Sequence, residues 1–345
     1  MAKEKDRIFY IALLSVISAI AVVFCHANEF YLFDHNPNWA IRNMIEGITH
    51  FAVPVFFMIT GAMLLDYTKR YSLSEYFKKR INKTLVPFLF WSLIGLGWSI
   101  FLKKTSPDSL SFMFIINGVF YTSFVPIYWF FIDLFRIYLW IPLLACIKEE
   151  NKCFVFTYFI LCLFIIDSFI PFVLDKYGIT PYFDMKLSQN YLIYVLMGYV
   201  LSKYEIELKW RRSIYMLAIL SVLAITIGTY VLSIGNDAIE YTYIGYKNVP
   251  CVLYSAGVFL FAKNLTKKIN FNEKFKATVY FLSKYTLAIY LLHIFIIDTV
   301  KLYLPYSLKT SIPCIFALSL AVIPACILLT IIIRRIPFGK FVLPE

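Results

Sequence analysis

Residues 8–27 read IFYIALLSVISAIAVVFCHA, a stretch without a formal charge that reaches its first ionisable imidazole only at His26. An α-helix rises 1.5 Å per residue, so about 20 such residues cross the hydrocarbon core of a bilayer. Inside lipid every backbone N–H and C=O must be satisfied within the protein, which restricts a spanning segment to a helix or a closed barrel. Comparable apolar runs fall at roughly 8–27, 48–66, 84–102, 127–147, 153–174, 190–204, 213–233, 248–262, 279–298 and 312–333. The sixth and eighth are short. The expected fold is an all-α integral membrane protein of about ten transmembrane helices, forming one domain over residues 1–345.

Composition agrees. With 61% hydrophobic residues, 16% charged residues and a mean hydropathy of +0.73, the chain has more apolar surface than a soluble domain of this size can bury. Its 34 Phe and 26 Tyr include many rings suited to the membrane–water boundary. The net charge of +12 is spread in short clusters between apolar runs, which is the pattern of loops facing anionic lipid and argues against a nucleic-acid surface. With a cytoplasmic N-terminus, the inside segments collect about 23 of the 33 Lys and Arg residues. An even number of spans then returns the C-terminus to the cytoplasm. The N-terminal MAKEKDR with its apolar run reads as a retained signal-anchor helix. No Cys spacing resembles a metal knuckle, and Cys25, Cys162, Cys251, Cys314 and Cys326 lie inside apolar runs, where packing is the expected role.

This topology puts His26, His35, His50 and His293 on the outer side. An ionisable group at a membrane boundary is costly and asks for a function and a partner. His26 is the best candidate for a general base, because an imidazole titrates near neutrality. Its bland alternative is an interfacial ring bonded to a helix end. His293, in LAIYLLHIFIID, can polarise a carbonyl, orient a substrate or pack passively. Arg136 lies roughly 14 Å along the fourth span, with Asp133 three residues earlier on the same face, so the two can pair. Lys79, Arg80 and Lys83 precede the third span, where they can grip phosphate groups or simply set topology. Glu29, Asp34 and Glu46 are near enough to orient His26, and spacing selects none of them.

Five separated stretches together resemble the acyltransferase 3 family of bacterial membrane O-acyltransferases. They are FYIALLSVISAIAVVFCHANEF, VPVFFMITGAMLLDY, YFKKRINKTLVPFLFWS, YWFFIDLFRIYLWIPLL and SKYTLAIYLLHIFIID, in family order over nearly the whole chain. His26 falls on the family's histidine at the end of the first helix. Thr60-Gly61 stands where the family's Val-Pro-Leu-Phe-Phe-x-x-Ser-Gly pattern has Ser-Gly. One departure concerns an Asp and an Arg that the family carries three residues apart on the first helix, where this chain has Ala12 and Ser15. Losing both together avoids an uncompensated charge in lipid.

The resemblance implies an O-acetyltransferase of the bacterial cytoplasmic (inner) membrane. Acetyl-CoA would be the acyl donor, with no metal, and a hydroxyl of a surface polysaccharide or its lipid-linked precursor (O-antigen, capsule or enterobacterial common antigen) the acceptor. His26 would then act as base, His293 or Arg136 would meet the developing oxyanion, and Lys79, Arg80 and Lys83 would bind the donor's phosphates. Three rivals stand beside it. A polysaccharide flippase would show cationic residues on several helices or an internal repeat. A glycan polymerase would need a large outer loop. A degenerate acyltransferase would keep the fold without turnover, a reading that Ala12 and Ser15 keep open.

Overall fold

The computed structural model describes residues 2–33, 37–179, 187–188 and 191–345; 79% of these are helix and none is strand. Among the described residues, eight helices are long and apolar enough to cross a membrane: Phe9–Asn28, Asn38–Lys69, Leu73–Phe101, Pro126–Ala145, Glu149–Lys176, Leu208–Asn236, Val249–Lys268 and Ile312–Ile333. The chain is thus a multi-pass membrane protein. Its described residues divide into two compact units, Met1–Leu65 with Ile147–Cys326, and Asp66–Cys146 with Ile327–Glu345.

Two expected spans differ from simple crossings. The run 190–204 forms the 12-residue helix Leu192–Lys203, too short to span. It is buried along most of its length between the helices Ala52–Leu64, Glu149–Leu163 and Val249–Lys268. A helix surrounded by protein needs no 20-residue length, so hydropathy alone could not separate it from a span. The run 279–298 is broken: Glu273–Ser283 and Thr286–Leu302 meet at a 63° bend, and count as a ninth span only if taken as one. Hydroxyls tie up carbonyls at the break, Ser283 donating to Tyr280 O at 2.9 Å and Thr286 to Ser283 O at 3.1 Å.

In the first unit the Ala2–Asn28 helix packs against Ala52–Leu64, Val249–Lys268 and both halves of the bent pair. Near its start Phe9, Ala12, Leu13 and Val16 form an apolar cluster with Val279. Ala52–Leu64 and Leu192–Lys203 approach backbone to backbone. A Cβ on Gly61 would collide with the Val195 carbonyl, and one on Gly198 with the Met58 carbonyl. Within lipid, small residues are what let two helix backbones approach this closely.

In the second unit Ser72 caps the helix Leu73–Arg80 by accepting from the Glu75 N–H. The chain continues through a π turn, Ile81–Leu85, into Val86–Phe101. Pro87 lacks the N–H that would bond the Lys83 carbonyl, and the widened turn relieves that conflict. The segment 342–345 folds back beside it, with the Trp91 indole donating to Val342 O at 2.9 Å and Arg334 Nε to Leu343 O at 2.7 Å.

The same substitution at two glycines separates contact from propensity. Gly198→Ala is expected to destabilise the protein by about 3 kcal/mol through overpacking against backbone. Gly97→Ala, with nothing within 4 Å of the added Cβ, should be neutral or stabilising by up to about 1 kcal/mol. Thermal unfolding of the detergent-solubilised chain reads both.

Candidate active site

His26 occupies the last turn of the Ala2–Asn28 helix. That helix ends because Glu29 adopts a left-handed backbone, φ 49°. A side chain costs about 1 kcal/mol in this conformation, so something must hold it. Lys301 does: its ammonium donates to Ala27 O at 2.9 Å and pairs with the Glu29 carboxylate at 3.2 Å. Arg42, fully buried, adds a bond to Glu29 O at 3.4 Å, and Asn28 Nδ2 donates to Arg42 O at 2.8 Å. The turn carrying His26 is therefore fixed on both sides.

His293 approaches it from the Thr286–Leu302 helix. The two imidazole centroids are 5.2 Å apart and the rings are inclined by 40°. His26 is half-buried, whereas His293 is fully buried. His293 Nδ1 lies 2.9 Å from Ile289 O. A carbonyl can only accept, so Nδ1 carries the proton and Nε2 carries the lone pair. Among the described residues Nε2 is buried with no hydrogen-bond partner. Tyr290 closes another side, its ring 5.8 Å from His293. Further down the same helices a small apolar crevice of about 20 Å³ is lined by Val16, Ala19, Ile20 and Ile289, with Ile323 from the Ile312–Ile333 helix.

The pairing of His26 with His293 was not derivable from spacing, because they are separated by most of the chain. Their partners were equally hidden. Lys301 looked like one basic residue among 33, yet it is buried and joined to the His26 turn. Glu29 takes Lys301, and Glu46 takes the Cys25 thiol, 3.2 Å from each carboxylate oxygen. Cys25 thus has a polar partner where packing alone was expected. Asp34 and His35 lie outside the described residues. Ala12 sits in the apolar cluster, and the Ser15 hydroxyl bonds Ile11 O at 2.9 Å, so neither position holds a charge in need of a partner.

The remaining candidates belong to the second unit. Arg136 pairs with Asp133 at 3.0 Å, as their shared face predicts, and its side chain is 59% exposed. Arg80 stacks over Tyr76 and Tyr138, with its guanidinium carbon 5.9 and 5.6 Å from the ring centroids. Lys79 lies over Tyr71 at 4.0 Å, and Lys83 Nζ donates to Glu345 O at 2.8 Å. The aromatic cage orients Arg80 without neutralising it, which leaves its charge available to an anion.

The family model described as an acyltransferase domain, Acyl_transf_3, matches residues 8–332 of the 345-residue chain. No curated protein and no solved structure matches.

The buried Lys301–Glu29 pair should behave as one unit. Lys301→Met is expected to cost about 3–5 kcal/mol, because it strands a buried carboxylate. Adding Glu29→Gln should restore part of that loss, and unfolding midpoints of the two singles and the double complete the cycle.

Proposed function

From the premise that the chain belongs to the Acyl_transf_3 family of acyltransferases, we propose that it is an O-acetyltransferase acting on a cell-envelope glycan. It takes acetyl groups from cytoplasmic acetyl-CoA and delivers them to a hydroxyl of a surface polysaccharide or its lipid-linked precursor. It works in the cytoplasmic membrane of a bacterium, with both termini inside. The observation that carries this reading is the histidine pair, two imidazoles 5.2 Å apart where the first helix meets Thr286–Leu302.

His26, the more accessible ring, accepts the proton of the acceptor hydroxyl as its oxygen attacks the thioester carbonyl. The tetrahedral intermediate then expels the CoA thiolate, which takes the proton back from His26 to leave as the thiol. General-base assistance of this kind is worth about 10²–10⁴-fold. His293 holds its Nδ1 proton on Ile289 O, so its lone pair at Nε2 faces the site as a second acceptor that keeps the hydroxyl aimed. Arg80, Lys83 and Lys79 take the phosphates of the donor's nucleotide.

A polysaccharide flippase or a degenerate relative is the alternative, and each predicts no acyl transfer. The deciding measurement is the alkali-labile acetyl-ester content of host surface glycans, by mass spectrometry. The deletion should abolish the ester, and His26→Ala at matched membrane abundance should lower it by about 100-fold or more. Unchanged ester in the deletion refutes the reading, and unchanged ester in His26→Ala alone removes the base.

The donor site has its own test. Arg80→Ala should raise the half-saturating acetyl-CoA concentration roughly tenfold, with the maximal rate nearly unchanged. Were Arg80 a topology signal only, half-saturation would stay constant and membrane orientation would shift instead.

A further inference from the structure

Adjacent residues on a helix point about 100° apart, so Cys25 faces away from the His26–His293 pair. It faces a second buried polar cluster. The Cys25 thiol donates to Glu46, whose Oε1 lies 3.6 Å from His50 Nδ1. Glu46 and His50 are 8% and 5% exposed. The His50 ring stacks on Tyr246 with centroids 4.4 Å apart and planes inclined by 10°. Tyr246 is fixed in turn, because Tyr194 OH donates to its carbonyl. Burial, with Cys25 and Glu46 nearby, pushes the Tyr246 phenol well above its ordinary range, so it remains a neutral donor.

Among the described residues, neither ring nitrogen of His50 has a hydrogen-bond partner. With Nδ1 turned to Glu46, an open Nε2 on a buried ring is still costly, about 1–3 kcal/mol for a group left unmade. A folded protein seldom tolerates this unless something else completes the bonds. The geometry indicates what kind of group does so. Nδ1 faces a carboxylate, so the proton belongs there, and Nε2 is left with a lone pair aimed away from Glu46. A lone pair of that kind accepts from an O–H donor. Cys25 and Tyr246, at the edge of the cluster, are half-buried.

We propose that Glu46 and His50 form a hydroxyl-binding subsite for the glycan acceptor, separate from the transfer histidines and joined to them through Cys25. His50 is a positioning residue that accepts a hydroxyl of the sugar, Glu46 sets its tautomer, and Cys25 sets Glu46. The inference rests on the acyl-transfer reading for the identity of the acceptor. Its placement follows from the unpartnered buried imidazole.

The test uses the full chain in proteoliposomes, with the lipid-linked glycan fraction of the host as probe. Two readouts run together: transfer from radiolabelled acetyl-CoA at saturation, and retention of the glycan by the His26→Ala protein. His50→Ala and His50→Asn should each raise the half-saturating glycan concentration roughly tenfold. His50→Gln, whose amide oxygen reaches the Nε2 position, should remain within about threefold of the parent. Maximal rate and acetyl-CoA half-saturation should stay near the parent values. A merely structural role would move Asn and Gln alike and lower the thermal midpoint of both. Glycan retention that is unchanged in His26→Ala/His50→Ala overturns the subsite, even when transfer is intact. Retention that depends on His50, with no transfer by the parent chain, supports the subsite and refutes the acyl-transfer reading.

Discussion

A helix that stops inside a low-dielectric medium leaves its last carbonyls without donors, and this constraint organises the first unit of the protein. The chain answers it three times with a buried lysine. Lys301 donates to Ala27 O at the end of the first helix, and Lys263 donates to Leu201 O and Tyr204 O at the end of the short helix Leu192–Lys203. Lys152 reaches Leu65 O, just past Ala52–Leu64. Each ammonium also has a carboxylate: Glu29 at 3.2 Å, Glu205 at 3.2 Å and Glu149 at 3.4 Å. Cation, carboxylate and helix end neutralise one another, so three charges that would be prohibitive alone become compatible with burial.

The candidate site follows from one of these caps. Because Lys301 and Glu29 close the first helix at the end of the apolar run, His26 stays in helical geometry and faces the helix bearing His293. The bend at residues 284–285 belongs to the same arrangement. It gives Thr286–Leu302 a direction of its own, independent of the Glu273–Ser283 segment that packs lower on the first helix. Ile289 then fixes the His293 tautomer through its carbonyl and lines the apolar crevice with its side chain. The two polar clusters flanking the helix end, one at His26 and one at Cys25, arise from the angular offset of consecutive residues.

Much of this was legible beforehand where a single helix decides the matter. Apolar length identified the helices, and three-residue spacing predicted the Asp133–Arg136 pair. His26 could be singled out because it is the first ionisable group after a long apolar run. Legibility ended wherever two distant segments share a residue's burden. Cys25 read as packing because its carboxylate partner is contributed by another helix. The run 190–204 read as a span because hydropathy does not distinguish lipid from surrounding protein.

The sequence by itself determined that the chain is helical, lies in a membrane and belongs to an acyltransferase family, since run length and ordered local motifs are one-dimensional properties. The tertiary structure alone decided which ionisable groups are bound to one another. His26 met His293, Lys301 met Ala27 and Glu29, and Glu46 met Cys25, across 21 to 274 positions of the chain. Such pairings follow from helix packing, where close contacts such as Gly61 on Val195 and Gly198 on Met58 set the distances between backbones. Partners are chosen by what lies within a few ångströms after packing, and periodicity along one helix carries no record of that.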